Sequence, residues 1–222
     1  MVKMPTVNDK MEASYIIQVL LSCGLRKALS YKENRSWAST YFEEWMDHAI
    51  TKQTLAEEGL KIYSGASKIC IVSDNENWVI KIGFLRETNT MLSADLRDYC
   101  EREALLYQEA IKSGCETHLA ATYYGGCIDG IEFYLQERVV ANVCVIENRI
   151  KTYNSTHNDT DYEDCDGDDE YIRAVINDDN DEEVEDLIEF AYEHDINDLH
   201  CGNWGIAKDG RVVIIDFSGF LD

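Results

Sequence analysis

The 222-residue sequence predicts an α+β fold on three observations. From Leu60 to Phe84 it consists of short β-rich runs, "LKIYSG", "SKICIVSD" and "NWVIKIGF", separated by Gly65 and by the turn-forming "SDNEN". The next long stretch, "DLRDYCEREALLYQEAIKSG", repeats apolar residues at helical spacing. "HLAATYYGGCIDGIEFYLQERVV" then returns to two β-rich runs about a tight turn at Asp129 and Gly130.

Taken in order, residues 1–59 form a helical N-terminal extension. "SYIIQVLLSCGLRKAL" carries apolar residues three and four apart, "SWASTYFEEWMDHAITKQTLAEEG" does the same through Trp37, Phe42 and Trp45, and Gly59 marks the stop. Three strands in meander order follow. The helix after them places Leu96, Tyr99, Cys100, Glu103, Leu106, Tyr107 and Ala110 in register and ends at Gly114. Residues 60–140 therefore read as three strands, a helix and two strands, and residues 141–222 as a third region. Within it, residues 158–186 hold fifteen acidic side chains and one basic one, Arg173, which predicts a solvated acidic loop. "YEDCDGDDEYIR" resembles a calcium loop at Asp164, Asp166 and Gly167, but Tyr162 and Arg173 stand where its terminal carboxylates belong, which argues against an EF-hand. "EEVEDLIEFAYEHDI" restores helical periodicity and leads into Asn197 and Asp198.

Composition excludes several partners. Forty-three acidic against twenty basic residues give a formal charge of -23, which repels phosphate backbones and anionic lipid. Nucleic acid and membrane are not expected partners. The apolar stretch Tyr15 to Leu21 is too short to span a bilayer and starts no cleavage pattern. Eight scattered cysteines without a C-x-x-C pair predict structural thiols in a reducing cytoplasm.

Chemistry concentrates near residue 200, in the hairpin region 195–222. Asp198 and Asn203 lie on one loop, and Asp216 ends the apolar run "RVVIID" after the turn "KDG". One carboxylate suits a proton acceptor, and the amide with the second carboxylate suits Mg²⁺ on a polyphosphate. Asp198 and Asp216 read equally as turn caps, and Asn203 as a left-handed loop residue. Lys81, among the apolar residues of "WVIKIGF", requires an anionic partner, and Glu103 on the following helix is the candidate.

These motifs resemble the protein-kinase-like superfamily, and most closely its aminoglycoside and choline phosphotransferase branch. "DLHCGN" is similar to the catalytic loop of that branch and "IIDFSG" to its metal strand. "VIKI" is similar to the strand-three lysine motif, "EREALLY" to the helix carrying its glutamate partner, and "FYLQERV" to the last small-lobe strand and hinge. The resemblance covers residues 60–222. It implies a two-lobed fold: a five-stranded antiparallel small-lobe sheet with one helix, a hinge and a reduced large lobe. It further implies that Lys81 binds the α- and β-phosphates of ATP and pairs with Glu103 or the nearby Glu101. Asp198 would be the catalytic base, and Asn203 and Asp216 the Mg²⁺ ligands. Backbone groups of Glu137 and Val139 would hold adenine, backed by Gln136 or Leu135. Gly65, with Ser64 and Ser67 beside it, would let the first hairpin close over the phosphates.

The sequence departs from that pattern in four places. The phosphate loop has one glycine instead of three, Ile196 stands two before Asp198 in place of histidine or tyrosine, and Ser218 replaces the metal-strand glycine. Six residues follow Asp216, so the usual acceptor-binding subdomain is not expected. His200 matches the small-molecule branch. The leading expectation is an ATP- and Mg²⁺-dependent phosphotransferase whose acceptor is a cationic small molecule or a protein. The alternatives are a pseudokinase or nucleotide-binding interaction module, and an acidic decoy of nucleic-acid-binding proteins. Short chains of this kind resemble phage and mobile-element proteins, which would place the activity in a host cytoplasm.

Overall fold

Residues 69, 71, 80 and 82 are all isoleucine, and alternation along paired strands sends all four to one face of a sheet. The computed structural model describes residues 4–31, 40–65, 67–86, 99–157, 168–176 and 181–218. The chain divides into two compact units, Val2–Ala104 with Thr122–Glu137, and Leu105–Ala121 with Arg138–Asp222.

The first unit opens with helices α1 (Val7–Ser22) and α2 (Leu25–Leu29), strand β1 (Ser30–Tyr31), and helices α3 (Thr40–Asp47) and α4 (Ala49–Glu57). Strands β2 (Lys61–Ser64), β3 (Lys68–Val72), β4 (Trp78–Gly83) and β5 (Leu85–Arg86) follow, then the start of α5 (Tyr99–Ser113), β6 (Thr122–Ile128) and β7 (Ile131–Glu137). Five strands form one antiparallel sheet in the order β2-β3-β4-β7-β6, and β1 pairs with β5 in parallel. At the β6–β7 turn Asp129 and Gly130 have φ 51° and 76°, the two left-handed positions that a two-residue hairpin needs.

One face of this sheet, lined by Ile69, Ile71, Ile80, Ile82, Phe133 and Leu135, packs against Ile16, Ile17, Leu20, Leu25 and Leu29 of the N-terminal helices. The helical extension therefore belongs to the same unit as the sheet and covers it. Burying each such side chain stabilises the unit by about 1.5–3 kcal/mol. Helix α1 is started by a capping box, in which the Asp9 N–H donates to Thr6 Oγ1 at 3.2 Å and the Thr6 N–H donates to the Asp9 carboxylate at 2.7 Å. The opposite face carries Lys68, Cys70, Lys81 and Tyr134, because Cys70 pairs with Lys81 and Lys81 with Tyr134. Tyr134 packs there with Cys100 and Ala104 of α5.

The second unit contains the rest of α5, helices α6 (Val143–His157), α7 (Asp168–Ile176) and α8 (Asp181–Glu193), and the hairpin β8 (Trp204–Ile206) with β9 (Val212–Ile214). Leu119 bridges to Ile214 and Val140 to Ile206. Helix α6 has no counterpart in the sequence reading.

The expected acidic loop over 158–186 is corrected by helix α7 and the first turns of α8. Ile172, Ala174, Val175 and Ile176 are buried, while Asp169, Glu170, Glu182, Glu183, Glu185 and Asp186 are exposed. Charge on one face of a helix is solvated while the other face packs, so an acidic composition does not preclude a core. Arg149 of α6 donates to the carbonyls of Val175 and Ile176 at 3.2 and 2.8 Å, closing the negative end of α7. Residues 158–167, with Tyr162, Asp164, Asp166 and Gly167 of the calcium-like pattern, lie outside the described residues, and Arg173 pairs with Glu185. Trp37, Leu96 and Gly219 also lie outside them. Among the described residues no helix is long and apolar enough to cross a membrane.

Candidate functional site

The first unit holds a buried ionic cluster. Lys81 on β4 places its Nζ 2.8 Å from Glu103 Oε2, so the expected ion pair is present and its carboxylate is Glu103 rather than Glu101. A third member, Lys68 on β3, reaches Glu103 Oε1 at 2.5 Å. The two lysines are 6 % exposed and the glutamate 0 %. Lys68 was not anticipated. In the sequence it looks like an ordinary lysine at the start of a strand, and only the β3–β4 register, Lys68 opposite Gly83 and Cys70 opposite Lys81, puts it on the Lys81 face. Charge-assisted bonds from two ammoniums to both carboxylate oxygens fix the helix to the sheet. Burial pushes the nearby Cys70 thiol above its ordinary value, with Lys81 pulling it down, Glu103 pushing it up and Lys68 pulling it down.

The β2–β3 hairpin next to this cluster engages its backbone in its own turn and with the residue that follows β4. The Gly65 N–H donates to Lys68 O at 2.9 Å, and the Phe84 N–H donates to Ser67 O at 3.0 Å. On β7, Gln136 lies on the face of Tyr134 and Lys81 and donates to Thr122 Oγ1 at 3.0 Å, whereas Leu135 belongs to the apolar cluster behind the sheet. Of the two residues considered as backing for adenine, Gln136 is therefore on the ionic face. Glu137 ends β7 opposite Trp78.

In the second unit, one loop presents Asp198. Asn203 Nδ2 donates to Asp198 O at 2.7 Å, Trp204 Nε1 donates to Leu199 O at 3.0 Å, and the Asn203 N–H donates to His200 O at 2.9 Å. The Gly202 N–H donates to His200 Nδ1 at 3.0 Å. A neutral His200 then carries its proton on Nε2, which lies 3.6 Å from Asp198 Oδ1. A Cβ at Gly202 would sit 2.9 Å from His200 Cε1, so a larger residue there would displace the His200 ring.

The Asp198 carboxylate makes no capping hydrogen bond among the described residues. Asn203 is not left-handed; among the described residues the non-glycine residues of positive φ are Asp129 and Asp195. Asp216 stands two residues past β9, and Ser218 Oγ donates to its Oδ1 at 3.1 Å. The Ile215 N–H donates to Asn203 O at 2.8 Å, which sets the loop and the Asp216 segment side by side. Val139 packs on Gly205, where an added Cβ would approach Val139 Cγ2 to 2.6 Å.

Among the described residues no three His, Cys, Asp or Glu side chains converge as a metal cluster. Asn203 and Asp216 both carry oxygen donors, and the bond from the Ile215 N–H to Asn203 O brings their two segments together. The Asn203 amide nitrogen is held by the Asp198 carbonyl. The chain matches no protein-family model and no curated protein.

Proposed function

We propose that the chain binds ATP with Mg²⁺ on a protein-kinase-like fold and transfers the terminal phosphoryl group to an acceptor hydroxyl. The observation that carries this reading is the buried Lys81–Glu103 pair at 2.8 Å, on a sheet whose helix follows the third strand of a meander. Lys81 holds the α- and β-phosphates and Glu103 orients it. Asp198 takes the proton of the acceptor hydroxyl, and its loop is held by Asn203, Trp204 and the His200–Gly202 closure. Asn203 and Asp216 hold Mg²⁺, which when bound neutralises charge on the phosphates. The net charge of -23 favours encounter with a cationic acceptor, small molecule or protein. Seven cysteines among the described residues are thiols, which suits a reducing cytoplasm.

Thermal unfolding with ATP, with and without Mg²⁺, tests the reading on wild type, Lys81→Met and Asp216→Ala. Ligand at about a hundred times its Kd adds ~2.7 kcal/mol, or about 5–10 °C in a chain of this length. A Mg²⁺-dependent rise that is lost in Asp216→Ala supports it, and no rise with any nucleotide refutes it.

A second reading, a nucleotide-binding module without turnover, is favoured by the Gly65 N–H, which is engaged in its own hairpin. Phosphate transfer abolished by Asp198→Asn excludes the module. Binding with no transfer to any acceptor, water included, supports it.

A further inference from the structure

We propose that Lys68 is a second phosphate-binding lysine, acting beside Lys81 on the same polyphosphate. The inference rests on the nucleotide reading above and extends it to a residue outside the motifs that suggested it. Three observations carry it.

First, Lys68 and Lys81 share the two oxygens of one carboxylate, at 2.5 and 2.8 Å, on one face of the sheet. Whatever else the two ammoniums touch, Glu103 holds two cations in one place. A structural tie between helix and sheet needs only one, because each further buried ammonium adds a desolvation cost.

Second, Lys68 is the first residue of β3, at the foot of the hairpin that would lie over the phosphates. The Gly65 N–H of that hairpin donates to Lys68 O at 2.9 Å. A backbone donor that would ordinarily cradle phosphate is thus engaged in the turn, and side-chain charge takes a larger share.

Third, the protein carries forty-three acidic and twenty basic residues, a field that repels any polyphosphate. Two of those few cations are buried on one carboxylate. Concentrating positive charge there gives an anionic ligand a local attraction that the surface denies it. The ligand class is a linear polyphosphate: a nucleoside triphosphate or diphosphate, with inorganic tripolyphosphate as its minimal form.

The experiment is isothermal titration of the full chain with ATP, adenosine and inorganic tripolyphosphate, on wild type, Lys68→Met, Lys68→Arg and Lys81→Met. Lys68→Met is expected to weaken ATP and tripolyphosphate about ten- to a hundredfold, as Lys81→Met does, with adenosine unchanged and Lys68→Arg largely restored. A purely structural Lys68 would lower the unfolding temperature and leave the ATP Kd within about twofold of wild type, which overturns the proposal while the nucleotide reading stands. Tripolyphosphate binding that depends on Lys68, with ATP bound no better, upholds Lys68 and removes the nucleotide. Wild type that binds neither ligand overturns both.

Should Lys68→Met not fold, wild type is treated with an acyl-phosphate of ATP. A lysine beside the phosphates attacks the acyl carbon, forms an amide and releases ATP. Mass spectrometry should find the amide on both Lys68 and Lys81, and acylation of Lys81 alone overturns the proposal.

Discussion

Replacing Glu103 with glutamine keeps the side chain's shape and removes the charge that two buried ammoniums share. Glu103 is fully buried and both lysines are 6 % exposed, so water does little to solvate the cations left behind. Removing one partner of a buried ion pair costs about 3–5 kcal/mol, a large fraction of a typical total of about 5–15. For a chain of 150–250 residues each kcal/mol moves the midpoint by about 2–4 °C, so Glu103→Gln should unfold about 6–20 °C below wild type by circular dichroism. The combined change Lys68→Met, Lys81→Met and Glu103→Leu removes all three charges together. Burying apolar groups in their place is neutral or stabilising by about 1–4 kcal/mol in comparable cases, so the triple variant should recover most of the loss. A shift under about 3 °C for Glu103→Gln, or a triple variant as unstable as the single one, would refute the account of this cluster.

Other outcomes follow from the same structure. Gly205→Ala brings a methyl group to 2.6 Å from Val139 Cγ2 and should cost about 1–3 kcal/mol in urea unfolding, with part of it recovered by adding Val139→Ala. Equal losses in the single and double variants would show that Val139 is not the obstacle. Arg149→Met leaves the Val175 and Ile176 carbonyls without the guanidinium and should lower stability by about 1–2 kcal/mol, whereas Arg149→Lys should keep part of it. Burial, as the largest cause, raises the Cys70 and Cys115 thiols above the ordinary value of 9.0. Their contribution to stability is therefore complete below pH 9.0 and is lost as pH rises, because the unfolded chain releases those protons first. Between about pH 8 and about pH 10 the unfolding temperature of a Cys70→Ala, Cys115→Ala variant should fall less steeply than that of wild type, and identical slopes would contradict the assignment.

Local chemistry made much of the fold legible. The short β-rich runs from Leu60 to Phe84, the turn residues Asp129 and Gly130, and the stops at Gly59 and Gly114 act over a few neighbours, so strands, hairpin and helix ends could be read directly. The Lys81–Glu103 pair was legible for a related reason: an ammonium amid apolar residues demands a carboxylate, and the helical period offered one.

What the sequence could not disclose depends on which surfaces meet. Lys68 joins the ionic cluster only because antiparallel register carries it to the Lys81 face, and register is a property of two strands. The N-terminal helices read as an appendage until the sheet's isoleucine face is seen to be covered by them. The acidic stretch misled because net charge sums over a segment, whereas packing divides it into faces. Ile172, Val175 and Ile176 turn inward on α7 while Asp169 and Glu170 stay in water, and Arg149, from another helix, neutralises its end. The Asp198 loop lies between these cases. Its residues were named from their spacing, but only tertiary structure closed it, through the Asn203 amide, the Trp204 indole and the Gly202 N–H.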